Sequence, residues 1–260
     1  MIYSTPILPS EMIYRLYRHS PFLHEGQLGN MLRDYRDQLR QILPLLPAKG
    51  RLLEIGCANG FFLEAALQLG FDDVRGVEPS ADAVRKAHPH IRPKIINAVF
   101  NPDLFPKSSF DIVCCFQVLD HLLDPKAVLH GAHALLREGG ILLLINHNIR
   151  SWMPRLLGEG CPMYDIEHIY LFDRKTAAQL LEATGYEVVR VANISNSYML
   201  SYAIKMLPLP GLLKRSLIAL GERTGLDSWR IRLPAGNMVS IGRKRSQMPL
   251  SLRSPPPVFV

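Results

Sequence analysis

The chain has 260 residues, 48 % hydrophobic and 20 % charged, enough for one large core with an added subdomain and ordinary for a water-soluble globular protein. No stretch of about 18 uninterrupted apolar residues occurs, and the start carries no basic segment followed by an apolar run, so neither a spanning helix nor a secretory signal is expected. The net charge of +7 is lopsided: from Arg190 onward eleven Lys/Arg face only Glu222 and Asp227, a local +9 that leaves −2 for everything before.

In chain order, residues 27–43 place Leu28, Met31, Leu32, Tyr35, Leu39 and Ile42 on one helical stripe, broken by Pro44 and Pro47. Residues 1–47 are therefore expected to form a helical cap. "RLLEI" (51–55) predicts a first strand, and Gly60 to Leu69 a helix stopped by Gly70. "DVRGVE" (73–78) predicts a second strand, followed by a helix to Lys86 that Ser80 is placed to cap. "KIINAV" (94–99) predicts a third strand and "FDIVCCF" (110–116) a fourth. Pro125 opens a helix to Arg137 that Gly139-Gly140 should end, and "ILLLIN" (141–146) is the fifth strand. A helix over "KTAAQLLEATG" precedes a sixth strand, "YEVVRVA" (186–192). Residues 193–235 read as a helical insertion or lid, 236–246 as the last strand and 247–260 as a disordered tail.

Strands that alternate with helices, several of them continuously apolar, predict an α/β Rossmann-like fold with a doubly wound, mostly parallel, seven-stranded sheet over residues 48–192 plus the last strand. Cys57, Cys114, Cys115 and Cys161 form no CxxC pair, which indicates neither a zinc site nor a disulfide framework and fits a reducing, cytoplasmic setting.

In such sheets the ligand sits beyond the carboxyl ends of the strands, beside the first. There the sequence reads "LLEIGCANG" (52–60). Gly56 can turn the chain with a positive φ, and Gly60 can let the backbone approach a ligand closely. Glu78, about twenty residues on, stands where an acid accepts hydrogen bonds from ribose hydroxyls. The dinucleotide fingerprint GxGxxG is not met. Glu54 also argues against a pyrophosphate, since a like-charge pair at 4 Å costs about 4 kcal/mol at an effective dielectric near 20. A ligand with a ribose, no phosphate and cationic groups answers both acids: S-adenosylmethionine. A nicotinamide dehydrogenase fits this loop poorly.

These motifs occur in an order that resembles class I S-adenosylmethionine-dependent methyltransferases, in particular the small-molecule branch that includes the ubiquinone-biosynthesis O-methyltransferases. "LLEIGCANGFFLEAA", "GVEPS", "FPKSSFDIVCCFQVLDHLLDP", "LLREGGILLLI" and "EHIYLFDRKTAAQLLEATGYEV" carry the resemblance over residues 48–192. It implies that Glu54, Gly56, Cys57 and Gly60 surround the methionine moiety, with Gln117 at its end. Glu78 would hold the ribose, Pro79 and Ser80 lie beside the adenine, Ala98 face its plane and Asn97 touch its amino group. Asn59 replaces a glycine common in that family.

Transfer to a hydroxyl needs an in-line acceptor and a base. His168 in "DIEHIY" is the first candidate, with Tyr164, Asp165, Glu167 and Tyr170 around it. His147 in "INHN" and His121 after the fourth strand are the others; His147 can equally be a polar loop residue, and His121 reads first as a histidine that pins the following loop. A histidine–carboxylate set could also bind a metal, but no ligand spacing demands one, so metal dependence is the minor reading and no metal ligand is assigned. The basic residues 198–232 suit a lid or dimer contact, or a membrane surface presenting a lipid-linked acceptor. Nucleic acid is disfavoured, since no binding module accompanies the charge and the Asn/Asp-Pro-Pro-aromatic motif of base methylation is missing after the fourth strand. The expected activity is O-methylation of a small or lipid-linked metabolite, sugar or quinone-like. RNA methylation and a non-catalytic scaffold are the alternatives.

Overall fold

The computed structural model describes residues 2–3, 7, 9–19, 28–46, 49–161, 163–164, 168–207, 209–226 and 229–245. Its centre is a seven-stranded sheet: β1 (Arg51–Ile55), β2 (Asp73–Val77), β3 (Ile95–Ile96), β4 (Phe110–Phe116), β5 (Leu136–His147), β6 (Tyr186–Met199) and β7 (Arg230–Lys244). The spatial order is β3-β2-β1-β4-β5-β7-β6. The first five strands pair in parallel, and β7 runs antiparallel between β5 and β6. The order reverses at β1, which lies between β2 and β4, so the crevice at their carboxyl ends is the natural ligand site.

β4 is buried along its whole length, and its side chains alternate between two cores. Ile112, Cys114 and Phe116 join the first core with Leu52, Leu39 and Phe62, while Val113 and Cys115 join the second with Leu53, Leu129 and Leu181. This two-sided burial explains why the strand reads as a continuous apolar run. All four cysteines are free and buried.

The helices are α1 (Ser10–His19), α2 (Leu28–Ile42), α3 (Phe61–Gln68), α4 (Ala81–Arg85), α5 (Pro125–Leu135), α6 (Trp152–Leu157), α7 (Arg174–Ala183), α8 (Leu200–Met206) and α9 (Gly211–Thr224). Ser80 caps α4 as its position implied, its Oγ accepting from Ala83 N at 3.2 Å. Tyr35, Leu39 and Ile42 of α2 enter the first core. Outside the main sheet, Ile2–Tyr3 pairs antiparallel with Tyr170–Leu171.

Three boundaries differ from the sequence reading. β3 covers two residues rather than six, because the Asn97 side chain turns back to bond the Glu78 and Pro79 carbonyls. α5 stops at Leu135 rather than at the glycine pair: Leu136 is already extended (ψ 142°) and pairs with Phe110. Among the described residues of the segment 193–235, α8 and α9 are the α-helices; its two ends extend β6 and β7 into a long antiparallel ribbon. What holds the extension is Asp34 of α2, which accepts from Asn196 Nδ2 (3.2 Å), Ser197 N (2.8 Å) and Ser197 Oγ (2.9 Å). The expected tail 247–260 lies outside the described residues.

Candidate functional site

The crevice is built by the turn that follows β1. Gly56 (φ 73°) and Gly60 (φ 74°) both need the left-handed region, and Ala58 (φ 49°) adopts it between them. Gly56 N and Cys57 N donate to Val77 O at 2.8 and 3.3 Å, which folds the turn over the end of β2. A Cβ on Gly56 would lie 2.3 Å from Val118 Cγ2. At Gly60 a Cβ would lie 2.5 Å from Ile91 Cγ2, so protein packing by itself already excludes a side chain here.

Glu78 braces the turn: its Oε2 accepts from Ala58 N at 2.9 Å and its Oε1 from Ser80 N at 2.8 Å. Burial raises its pKa, and these two bonds pull it back down. Glu54 stands in a harsher place. It is 2 % exposed, and its Oε2 is buried with no hydrogen-bond partner. Burial first and the charge of Glu78 second push its pKa well above the ordinary carboxylate value. No cation among the described residues offsets either effect.

Two more acceptor oxygens at this crevice are buried and unpaired, Asn59 Oδ1 in the turn and Gln117 Oε1 just past β4. Gln117 also holds a left-handed φ of 54°, a strained conformation of the kind found at functional positions. A fourth unpaired oxygen, Asn30 Oδ1, belongs to α2, whose Tyr35 packs on Phe116 at 4.5 Å at the same end of the sheet. Buried polar groups normally find a partner, so unpaired oxygens at the strand ends mark a place for a ligand that brings donors.

Along the edge from Glu78, Asn97 Nδ2 donates to Glu78 O (2.8 Å) and Pro79 O (3.1 Å). A cavity of about 830 Å³ opens there, lined by Pro79, Asn97, Ala98, Val99, Leu104 and, from α1, Arg18. Of the residues expected here, Pro79, Asn97 and Ala98 line this cavity, while Glu54, Gly56, Glu78 and Gln117 stand at the carboxyl-end edge of β1, β2 and β4. Ser80 sits on the same edge with its hydroxyl committed to the α4 cap. Cys57 does not present its side chain: the thiol lies in the first core, so close that a Cβ on Gly76 would be 2.4 Å from its Sγ.

The three histidines, read separately in the sequence, form one cluster. The His168 ring centroid is 4.7 Å from that of His121 and 4.9 Å from that of His147. His121 also meets the Tyr17 ring of α1 edge-on at 6.1 Å. His147 Nδ1 is 2.9 Å from Asn237 Oδ1. Asn237 Nδ2 in turn donates to Asn196 Oδ1 at 3.0 Å, and Asn196 Nδ2 donates to Asp34. This chain fixes the amide orientations and makes His147 Nδ1 the protonated nitrogen, so the neutral ring keeps its lone pair on Nε2. Burial, with His168 beside it, lowers the His147 pKa to about 4, which keeps the ring neutral near pH 7.

Sequence reasoning missed Asp120, the fourth member. It is fully buried, accepts from His147 N at 3.1 Å, and burial raises its pKa to about 7. Asn237 was missed as well. Of the four residues expected around His168, Asp165 and Glu167 lie outside the described residues. Tyr170 OH is 3.3 Å from Leu123 O, to which it donates, and Tyr164 is exposed. An apolar cavity of about 280 Å³ instead opens against His147, walled by Met153, Leu157, Met163, Tyr198 and Ile204 among others. The extended ribbon and α8 supply much of that wall.

A family model described as a methyltransferase domain matches residues 24–191 of the chain. Among curated proteins, the ubiquinone biosynthesis O-methyltransferase of Erwinia tasmaniensis is 26 % identical over 117 residues, which are 42 % of this chain and 47 % of that protein. The protein of the same name from Bradyrhizobium sp. is 31 % identical over 114 residues, 42 % of this chain and 45 % of that one. The chain thus spans about half the length of the curated relatives it matches. Among solved structures, a SAM-dependent methyltransferase from Archaeoglobus fulgidus superposes with a TM-score of 0.56 at 16 % identity, covering 84 % of this chain and 98 % of that one. At that identity the likeness is one of fold.

Proposed function

Because the chain belongs to the methyltransferase-domain family, we propose that it transfers the methyl group of S-adenosylmethionine to an oxygen of a small, largely apolar or lipid-linked acceptor. The observation that carries this reading is the uncompensated Glu54 carboxyl with the unpaired oxygens of Asn59 and Gln117 beside it. An α-ammonium group supplies the donors they lack, and a sulfonium adds a second positive charge. Glu78 keeps lone pairs for the ribose hydroxyls, and Asn97 and Ala98 line the cavity that would take the adenine.

When bound, S-adenosylmethionine supplies an activated methyl group on a good leaving group. The protein has to align the acceptor at about 3–3.5 Å, in line with the sulfur, and take its proton. His147 is placed to take that proton, being neutral, with Nε2 unprotonated, at the end of β5 and in the wall of the apolar cavity.

That cavity favours a quinone-like phenol over a sugar, whose hydroxyls would find few partners among Met, Leu and Ile side chains. Outside it, α9 and the segment before β7 expose Leu212 (79 %) and Trp229 (64 %) amid Lys205, Lys214, Arg215 and Arg223. Such a surface suits an anionic lipid boundary from which a lipid-linked acceptor enters.

With radiolabelled donor, a hydroxylated benzoate bearing a prenyl chain should be methylated with at least about tenfold higher kcat/KM than its unsubstituted parent. Ala203→Trp, which fills the cavity, should erase that preference and leave S-adenosylhomocysteine affinity unchanged. Equal turnover of both acceptors by the unmodified protein would refute the apolar acceptor.

A further inference from the structure

Asp120, His147 and His168 come from the turn after β4, the end of β5 and the segment before α7, yet each places one ligand atom within 4.8 Å of the other two. We propose that these three residues bind a divalent transition-metal ion, of the zinc or iron(II) type, in a two-histidine, one-carboxylate site.

Three features build the site. The donor set is one that Zn²⁺ and Fe²⁺ accept, imidazole nitrogen and carboxylate oxygen. Each imidazole is oriented by a carbonyl on its far nitrogen: His147 Nδ1 donates to Asn237 Oδ1 at 2.9 Å, and His168 Nδ1 donates to the Met163 carbonyl at 3.0 Å. Those outer bonds turn Nε2 of each ring away from its Nδ1 partner, the arrangement that holds a ligating histidine in place. The carboxylate is oriented likewise, with Asp120 Oδ2 accepting from His147 N and Oδ1 from Asn146 Nδ2 at 3.4 Å.

Charge supplies the third feature. Asp120 is fully buried, and the described residues around it offer hydrogen-bond donors and no cation that would offset its charge. A bound dication would remove that cost. Typical metal–nitrogen and metal–oxygen bonds of about 2.0–2.2 Å ask the ligand atoms to close up by about 1 Å, a rotamer-scale adjustment. His147 also lines the apolar cavity, so the coordination positions not taken by protein face the space assigned to the acceptor; with the ion bound, His147 Nε2 is a ligand and no longer the base, and an acceptor oxygen held by the ion would lose its proton more readily. His121 flanks His168 on the side of Tyr17 and is not one of the three.

The test needs neither methyl donor nor acceptor, so it stands or falls apart from the methyltransferase reading. Untagged protein, stripped with a chelator and dialysed, is titrated with Co²⁺ while the visible d–d absorption is followed, and separately with Zn²⁺ by calorimetry. One ion per chain is expected. Asp120→Asn and His168→Ala should each abolish the Co²⁺ band, and Asn237→Ala, which removes the outer bond to His147 along with the one to Asn196, should weaken Zn²⁺ by about 10–100-fold. Folding of each variant is checked by circular dichroism. A wild-type protein with no d–d band and no Zn²⁺ binding tighter than that of the His168→Ala variant overturns the proposal, whatever the variants do.

Discussion

Glu54→Gln is expected to lower affinity for S-adenosylmethionine by at least about 100-fold and, in the same protein, to raise the thermal midpoint of the ligand-free form. The first effect follows from the charge pair. Glu54 is buried beside Glu78 with one oxygen unpaired, and the ligand's ammonium is the cation it lacks. Breaking a buried, hydrogen-bonded ion pair by neutralising one member costs about 3–5 kcal/mol. The second effect has the opposite sign because the free protein carries the same carboxyl without a partner, and burial already pushes its pKa well up. An amide of equal shape relieves that burden, and each 1 kcal/mol gained moves the midpoint by about 2–4 °C for a chain of this size. Loss of binding with gain of stability is the mark of a residue held for function. Calorimetric titration and a melting curve on one sample check both, and a variant that melts lower while still binding would make Glu54 a structural residue.

Asp34→Ala should destabilise the fold by about 3–5 kcal/mol, read as a lower urea midpoint at unchanged slope. Asp34 is 3 % exposed and receives three hydrogen bonds, all from Asn196 and Ser197, more than 160 residues away in sequence. Truncation strands three buried donors and cuts α2 from the outer half of β6. It also removes the far end of the chain Asp34–Asn196–Asn237–His147. Asp34→Asn, which retains one acceptor, should fall between the two. A loss below about 1 kcal/mol for the alanine variant would mean that water replaces the carboxylate, and that the ribbon does not depend on α2.

How much of this was legible depended on the range of the interactions. β1, β4 and the Ser80 cap were readable because burial on both faces, or a cap bond three residues away, leaves a local signature. The acids at strand ends, Glu54 and Glu78, were readable for the same reason: they stand out against apolar runs next to glycine turns. The extension of β6 was not, since "NISNSYM" looks like a polar loop until Asp34 satisfies it from another element. At Gly60 the atoms that meet a Cβ are those of Ile91 and Ile95, a packing constraint from another element that the local sequence does not show. The histidines were picked one at a time, and their meeting with Asp120 is a fact of topology. Asp120 and His147 follow the carboxyl ends of neighbouring parallel strands, a signal that could have paired them, while Asn237 sits opposite His147 only through the antiparallel register of β7.

The central claim is that the pocket at the end of β1 is shaped for a cationic nucleoside and against a pyrophosphate. Calorimetric titration of the folded, unmodified protein with S-adenosylhomocysteine, repeated in excess NAD⁺, reads it directly. Saturable binding of one molecule per chain, undisturbed by the dinucleotide, is the predicted result. A folded sample that gives no saturable heat, or one in which NAD⁺ takes the site, would contradict it.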